Sequence, residues 1–302
     1  MKAIDSKKEL TTIKHELKKE QRRLFQKRLL SNKLMVIGGI TLLFLTLVAF
    51  IGPLLMTYSP NEMVVQNRLQ APNAQHLLGT DEFGRDLLAR IVFGAKVTLG
   101  VGFSVAAISS IFGMIIGLYA SYYKLLDHIL MRVCDGLMSI PGILLAIALM
   151  ASLGPKTQNV VIALSIVFTP YIARVIRSAA IVAREQTYIE AIRVQGASTL
   201  RIIWLHIMPN TISPLVVTAT FIFADAIITE AALSFLGAGI PAPDPSWGNI
   251  LYDGKVVIFN AWWMTVFPGI MIILSVLGLN LLGDGLRDVI DPHINQSSKK
   301  VK

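Results

Sequence analysis

The chain has 302 residues, 54% of them hydrophobic and 16% charged, with a net charge of +9 and a mean hydropathy of +0.61. A soluble globular chain carries about 25% charged residues, and the apolar residues here gather into runs that a water-soluble core could not bury. A soluble globular protein is excluded, and the single cysteine, Cys134, excludes a disulfide within the chain.

Residues 1–33 form a basic segment with 11 Lys and Arg. Leu10, Ile13, Leu17, Leu24 and Phe25 approximate one helical face, so the segment reads either as an amphipathic helix on the anionic inner leaflet or as a solvated extension. A hydrocarbon core of about 30 Å needs roughly 20 apolar residues of helix. Six runs qualify: Leu34–Met56, Val97–Tyr122, Val133–Leu153, Val160–Ala183, Pro214–Leu236 and Trp263–Leu282. The expected fold class is therefore an all-α integral membrane protein with six transmembrane helices. The first run, residues 34–56, exceeds a signal-peptide core and lacks a small-residue cleavage pattern, so it is expected to stay as a span.

Residues 57–96 are expected outside the membrane. An irregular Pro-, Asn- and Gln-rich part leads to His76–Asp86, a polar turn punctuated by Gly79 and Gly84. That turn feeds a short helix over Leu87–Phe93, for which Thr80 or Asp81 is a candidate cap. Residues 97–284 hold the other five spans. Gly113 and Gly117 in the second span form a small-xxx-small face suited to close helix approach in lipid. Cys134 reads as a small apolar filler of the third span. Pro141, Pro170 and Pro268 fall inside spans three, four and six, where proline kinks a helix; such kinks suit a moving pore and a static bundle alike.

Between spans four and five, residues 185–213 are too polar to cross and read as two short helices, about Gln186–Val194 and Ser198–Met208. Gly196 supplies the turn between them, Ser198 is a cap and Pro209 a stop. Ile192, Ile202, Ile203, Trp204 and Ile207 give this loop more apolar surface than a free loop should carry, so part of it is expected to pack at home and part to meet a partner.

Span five carries two acids, Asp225 and Glu230, each costing roughly 2.5–3.5 kcal/mol near a bilayer centre. Five residues at about 100° each set them roughly 140° apart, so both cannot face one channel. Glu230 shares a face with Ser234. Glu230 suits a stabilising role in a pore or at a subunit interface, Asp225 is the better candidate for tuning a translocation path, and a protonated or locally paired acid between helices fits equally. Asp135 is placed to pair with Arg174 or Arg177. The outer loop over residues 237–262 contains Pro241, Pro243 and Pro245, which forbid a helix, and Trp247 and Trp262, joined by Trp263, which favour an interface; a merely structural cap on spans five and six is the alternative to a docking surface. A tail over 285–302 completes the chain. With this topology 22 of the 28 Lys and Arg fall on one side, which the positive-inside rule makes cytoplasmic together with both termini. One sign-based rule accounts for every loop, so nucleic acid is not needed to explain the basic segments.

No phosphate-binding G-x-x-x-x-G-K-[ST] loop, H-E-x-x-H, G-x-S-x-G or Cys/His cluster occurs, so this chain is expected to be no enzyme and to bind no cofactor. Energy for transport must come from elsewhere. A secondary transporter would need inverted repeats, and none is visible.

Tyr188-Ile189-Glu190-Ala191-Ile192-Arg193-Val194-Gln195-Gly196-Ala197-Ser198, followed by Ile207-Met208-Pro209, resembles the EAA loop of ABC-importer permeases. Two departures are visible: Ile192 in place of the second alanine, and Met208 where leucine usually precedes the proline. The likeness extends from about His76 to Pro292. Leu78-Gly79-Thr80-Asp81 with Gly84-Arg85-Asp86, Glu230–Gly237, Pro245-Ser246-Trp247-Gly248 and Asn280–Asp288 with Asp291-Pro292 are similar to the C-type subunit of dipeptide, oligopeptide and nickel permeases. Ala89 stands where that family often has serine. The resemblance implies a type I, MetI-like transmembrane domain forming half of a pore. It implies ATPase coupling through Glu190, Ala191, Gly196, Ala197 and Pro209, and docking of an external solute-binding protein near Asp81, Arg85, Asp86 and Trp247. The implied partners are a homologous B-type permease and two cytoplasmic ATPase subunits, which would hold ATP and Mg. Peptides are the implied substrates, with glutathione or nickel and metal chelates as alternatives.

Overall fold

A computed structural model describes residues 27–290, together with residues 16, 17, 19, 20 and 23. Most of the expected N-terminal amphipathic face and the Asp291-Pro292 pair lie outside the described residues. Among the described residues there is no strand, only helices joined by turns.

The first span, α1 (Lys33–Phe50), starts where the Asn32 side chain accepts from the amides of Leu34 and Met35. Eighteen residues reach about 27 Å, and the apolar run then breaks at Gly52-Pro53 into a single turn, α2 (Gly52–Leu55). The second span, α3 (Leu87–Tyr122), begins ten residues before the expected Val97. The short helix expected over 87–93 is its first two turns. Neither Thr80 nor Asp81 caps it: Asp86 does, accepting from the Ala89 amide at 2.8 Å.

The third run is not one helix. α4 (Lys124–Met138) and α5 (Gly142–Leu153) meet at 93°. Pro141 has no amide hydrogen to continue the ladder and pushes the preceding Ile140 out of the helical region, so it breaks the span where a kink was expected. The fourth span, α6 (Thr157–Arg184), carries Pro170 without interruption, and the sixth span carries Pro268 likewise.

After α6 come α7 (Thr187–Val194), a single turn α8 (Thr199–Arg201) and a π-helical stretch over Ile202–Ile207. This stretch runs straight into α9 (Met208–Phe235), so residues 199–235 form one continuous helix. Pro209 therefore does not stop a helix. It follows the π-helical stretch directly, and the wider i→i+5 pattern there accommodates a missing amide hydrogen that would otherwise break the ladder. Outside the membrane α10 (Trp247–Val256) forms once the prolines are passed, and α11 (Trp263–Ile290) makes the last span. Five helices are long and apolar enough to cross a membrane, and the bent α4–α5 pair, counted as one broken span, brings the number to six.

Close packing joins the spans. A side chain on Gly113 would come within 2.7 Å of Ile172, and one on Gly117 within 2.6 Å of the Ala173 carbonyl, so the small-xxx-small face of α3 is where α6 crosses. On α1, Gly38 abuts the backbone of α11 at Gly278 and Leu282 in the same manner. The main core gathers Val105 and Leu118 of α3, Leu164, Ile172 and Ile176 of α6, and Ile189, Ile202, Ile203 and Ile207 of the segment between the fourth and fifth spans.

Candidate functional sites at the two ends and in the fifth span

At one end of the bundle, between the fourth and fifth spans, α7 and α8 form an elbow pinned to it. Ile189, Ile202, Ile203 and Ile207 are fully buried, and Ile192 and Trp204 are half-buried. The part of this apolar face expected to pack at home is thus most of it: only Ile192 and Trp204 keep some exposure. Trp204 Nε1 donates to the Tyr119 hydroxyl at 3.4 Å, and Arg184 Nη1 to the Ser121 carbonyl at 2.5 Å. Tyr188 donates to the His206 carbonyl at 3.2 Å, closing α7 onto the π-helical stretch.

What remains outward is the tip. Glu190, Ala191, Gly196 and Pro209 are exposed and Ala197 is half-buried. Val194 is 88% exposed and Leu200 57%, so the apolar side chains on offer are two that sequence reasoning did not single out. Gly196 has φ +82° with open space where a side chain would stand. Its conformation, and not crowding, requires glycine. Its amide donates to the Arg193 carbonyl at 3.0 Å and that of Ala197 to Ile192 at 3.3 Å, ending α7 in a left-handed turn. Ser198 begins α8, but its side chain caps nothing.

Beside the elbow, Asp135 pairs with Arg174 at 2.5 Å, and Asp127 takes Arg177 in a two-pronged contact at 2.5 and 2.6 Å. Both alternatives for Arg174 and Arg177 are thus resolved, each with its own acid. These pairs tie bent helix α4 to α6 along a cleft of about 500 Å³ that also holds His128 and Arg132. Cys134 is buried, as its filler role requires.

At the outer end the polar turn folds into a buried charge network. Arg85 Nε donates to Asp81 Oδ2 at 2.5 Å, and Arg90 stands 3.6 Å from the same carboxylate. Both arginines also face Asp253 of α10, at 3.4 and 3.8 Å. Burial pushes the Asp253 carboxyl above its ordinary range, while Arg90 and Arg85 draw it back. His76 Nδ1 lies 2.9 Å from Asp86. The Trp263 indole donates to the Thr80 carbonyl at 3.0 Å, and Trp247 donates to Ile91 at 3.0 Å. Asp81, Arg85, Asp86 and Trp247 were expected at a docking surface. They are at most 5% exposed, and they hold the outer loops onto α3, α10 and α11 beneath whatever surface a partner would touch. Trp262, half exposed, is the one tryptophan of this cap on the outside.

In α9 the two acids point apart as their spacing requires. Glu230 is fully buried; Ser234 and Ser246 donate to its Oε1 at 2.7 and 3.0 Å. Ser246 also caps α10 in a reciprocal box with Asn249. Glu230 and Ser234, expected at a path or subunit interface, are turned into the chain and fasten α10 to α9. Asp225 is exposed.

Comparison with known proteins agrees with this architecture. The family described as "Binding-protein-dependent transport system inner membrane component" matches residues 109–296, and "N-terminal TM domain of oligopeptide transport permease C" matches residues 21–72. A Brucella abortus protein with a provisional name as a peptide transport system permease is 49% identical, over 90% of this chain and 92% of its own. The dipeptide transport system permease DppC of Alkalihalophilus pseudofirmus is 46% identical over 89% and 88%, and the glutathione transport system permease GsiD of Pectobacterium atrosepticum 39% over 90% and 91%. Among solved structures, an inward-facing MetNI methionine ABC transporter superposes with a TM-score of 0.56 at 22% identity, covering 67% of this chain and 97% of that one, which establishes a shared fold. The chain belongs to the family of binding-protein-dependent transport system inner membrane components, and is a membrane-spanning permease subunit of an ABC importer.

Proposed function

We propose that this subunit imports peptides, pairs with a second, homologous permease, and is driven by two cytoplasmic ATPase subunits that dock on the α7–α8 elbow. The carrying observation is the continuous helix from Thr199 to Phe235. A push on the exposed tip around Glu190, Ala191, Val194, Gly196 and Ala197 travels along one rigid rod to the outer side. At its far end Glu230 grips the cap of α10, so the outer loops move with it. Pro209 sits in this rod just past the π-helical stretch. ATP and Mg would be held by the ATPase subunits, and both termini of this chain lie in the cytoplasm. An external solute-binding protein would meet the loop surface above the Asp81–Arg85–Asp253 network. Peptides are favoured because relatives named for peptide or dipeptide transport reach 46–49% identity. The glutathione permease stands at 39%, and a metal chelate is the remaining alternative.

Replacing Gly196 by valine forces a β-branched residue to φ +82°. The expected outcome is an assembled complex whose ATP hydrolysis continues while uptake falls by at least about tenfold, a loss of about 1.4 kcal/mol or more of coupling. Uptake at the unaltered rate in that variant would remove the elbow from the mechanism. Competition of labelled dipeptide uptake by unlabelled glutathione separates the two substrate readings.

A further inference from the structure

The outward face of α9 is polar at the wrong depth for lipid. At 100° per residue, Thr218, Asp225 and Thr229 fall within about 40° of one another around the axis. Asp225 is exposed, and the two threonines are half-buried. Asp225 lies ten residues below Phe235, about 15 Å from the outer end of the helix, and seventeen above Met208, about 26 Å from its inner end. That places it near mid-membrane. The Thr229 hydroxyl is satisfied by the Asp225 backbone carbonyl at 2.7 Å, and the Asp225 carboxylate has no ion pair or hydrogen bond among the described residues. A free carboxylate at this depth faces water or another protein. Toward the cytoplasm the stripe opens into a cavity of about 460 Å³, where Ser213, Thr218 and Arg287 stand among the apolar Pro214, Val217, Phe221 and Ile290. A polar stripe that leads from an unpaired mid-membrane acid to an inner cavity has the form of a channel wall.

We infer that Thr218, Asp225 and Thr229 form this subunit's wall of the translocation path, and that the Asp225 carboxylate recognises a positively charged amino group on the passing solute. The inference rests on the importer reading above and narrows it: the cargo carries an ammonium group, which the carboxylate takes up as the solute leaves bulk water. Glu230, turned about 140° away and buried, has no part in it.

The test uses the whole complex in proteoliposomes. Cys134, the chain's one cysteine, is replaced by serine, and Ile228, 45% exposed on the same outward side, by cysteine. Two thiosulfonate reagents of similar size are compared, one bearing trimethylammonium and one sulfonate. With each rate divided by the same reagent's rate toward a small thiol in water, which removes the thiolate's own preference for a cation, the cationic reagent is expected to label residue 228 about tenfold faster, the enrichment a focused negative site produces. Asp225→Asn should bring the ratio to about one, Asp225→Glu should restore it, and a dipeptide with a free amine should slow labelling. Three results would overturn the inference: no labelling by either reagent although unfolded protein reacts, which means lipid or the partner covers the face; equal rates with Asp225 present; or a faster anionic reagent, which means a cation of the partner already occupies the carboxylate. ATP-driven uptake, measured beforehand on the complex without the cysteine at 228, reports the importer reading separately.

Discussion

Asp81 and Asp135 are both paired with arginine, yet their surroundings give the two pairs different worth. Asp81 is 1% exposed, between Arg85 and Arg90. Removing it strands two buried guanidinium groups with Asp253 as their remaining acid, and breaking a buried pair costs about 3–5 kcal/mol. Asp135 and Arg174 are about half exposed, where water and salt screen the attraction and pairs are worth roughly 0–1 kcal/mol. Asp81→Ala should therefore lower the melting temperature of the detergent-solubilised complex sharply and Asp135→Ala hardly at all. Equal losses would show that the outer network is solvated and contributes little. Sequence spacing could say that Asp135 sits within reach of Arg174 or Arg177, since all three belong to spans that face each other. It could not find Asp253, because α10 is held over α3 by Trp247, whose bonds to Thr98 and Ile91 join residues 149 and 156 positions apart. Nor could it separate a buried Asp81 from an exposed one: a charged, glycine-rich turn reads the same at a docking surface and beneath it.

At the scale of elements, the long apolar runs were legible because lipid demands an uninterrupted helix with every backbone group satisfied internally. Their ends were less so. The second span gained ten residues because Asp86 caps it outside the membrane, and the third lost its continuity at Pro141. The junction of elbow and α9 was the larger surprise. A proline after a polar helix looks like a terminator, yet the π-helical stretch Ile202–Ile207 carries the helix through. Such a stretch holds one residue more than a regular α-helix would. Deleting Leu205, 62% exposed, should convert it to regular helix and turn the elbow by about 100° relative to α9. The deletion variant is expected to reach the membrane and keep its six spans while ATPase subunits co-purify poorly. Full recovery of those subunits with normal uptake would show that the elbow's orientation is not set here.

For the whole molecule the arrangement depends on one assignment, the side on which each loop lies. The charge count supplies it: 22 of 28 Lys and Arg fall with the elbow and the termini, and basic loops are retained in the cytoplasm. The fold adds a consistency condition. The elbow and the outer cap sit at opposite ends of one continuous helix, residues 199–235, so fixing either fixes both. Two positions test this without disturbing the buried networks. Ala242, exposed in the outer loop, and Gln195, exposed at the tip of the elbow, are each replaced by cysteine in a Cys134→Ser background, and intact cells are treated with a membrane-impermeant thiol reagent. Residue 242 should label at once and residue 195 only after the membrane is opened. The reverse pattern would put the elbow outside, where no nucleotide hydrolase could reach it, and would leave the six spans standing without a drive. Labelling of both in intact cells would mean that residues 199–235 do not cross the membrane as one helix, and the rod that links coupling to the outer cap would be lost with it.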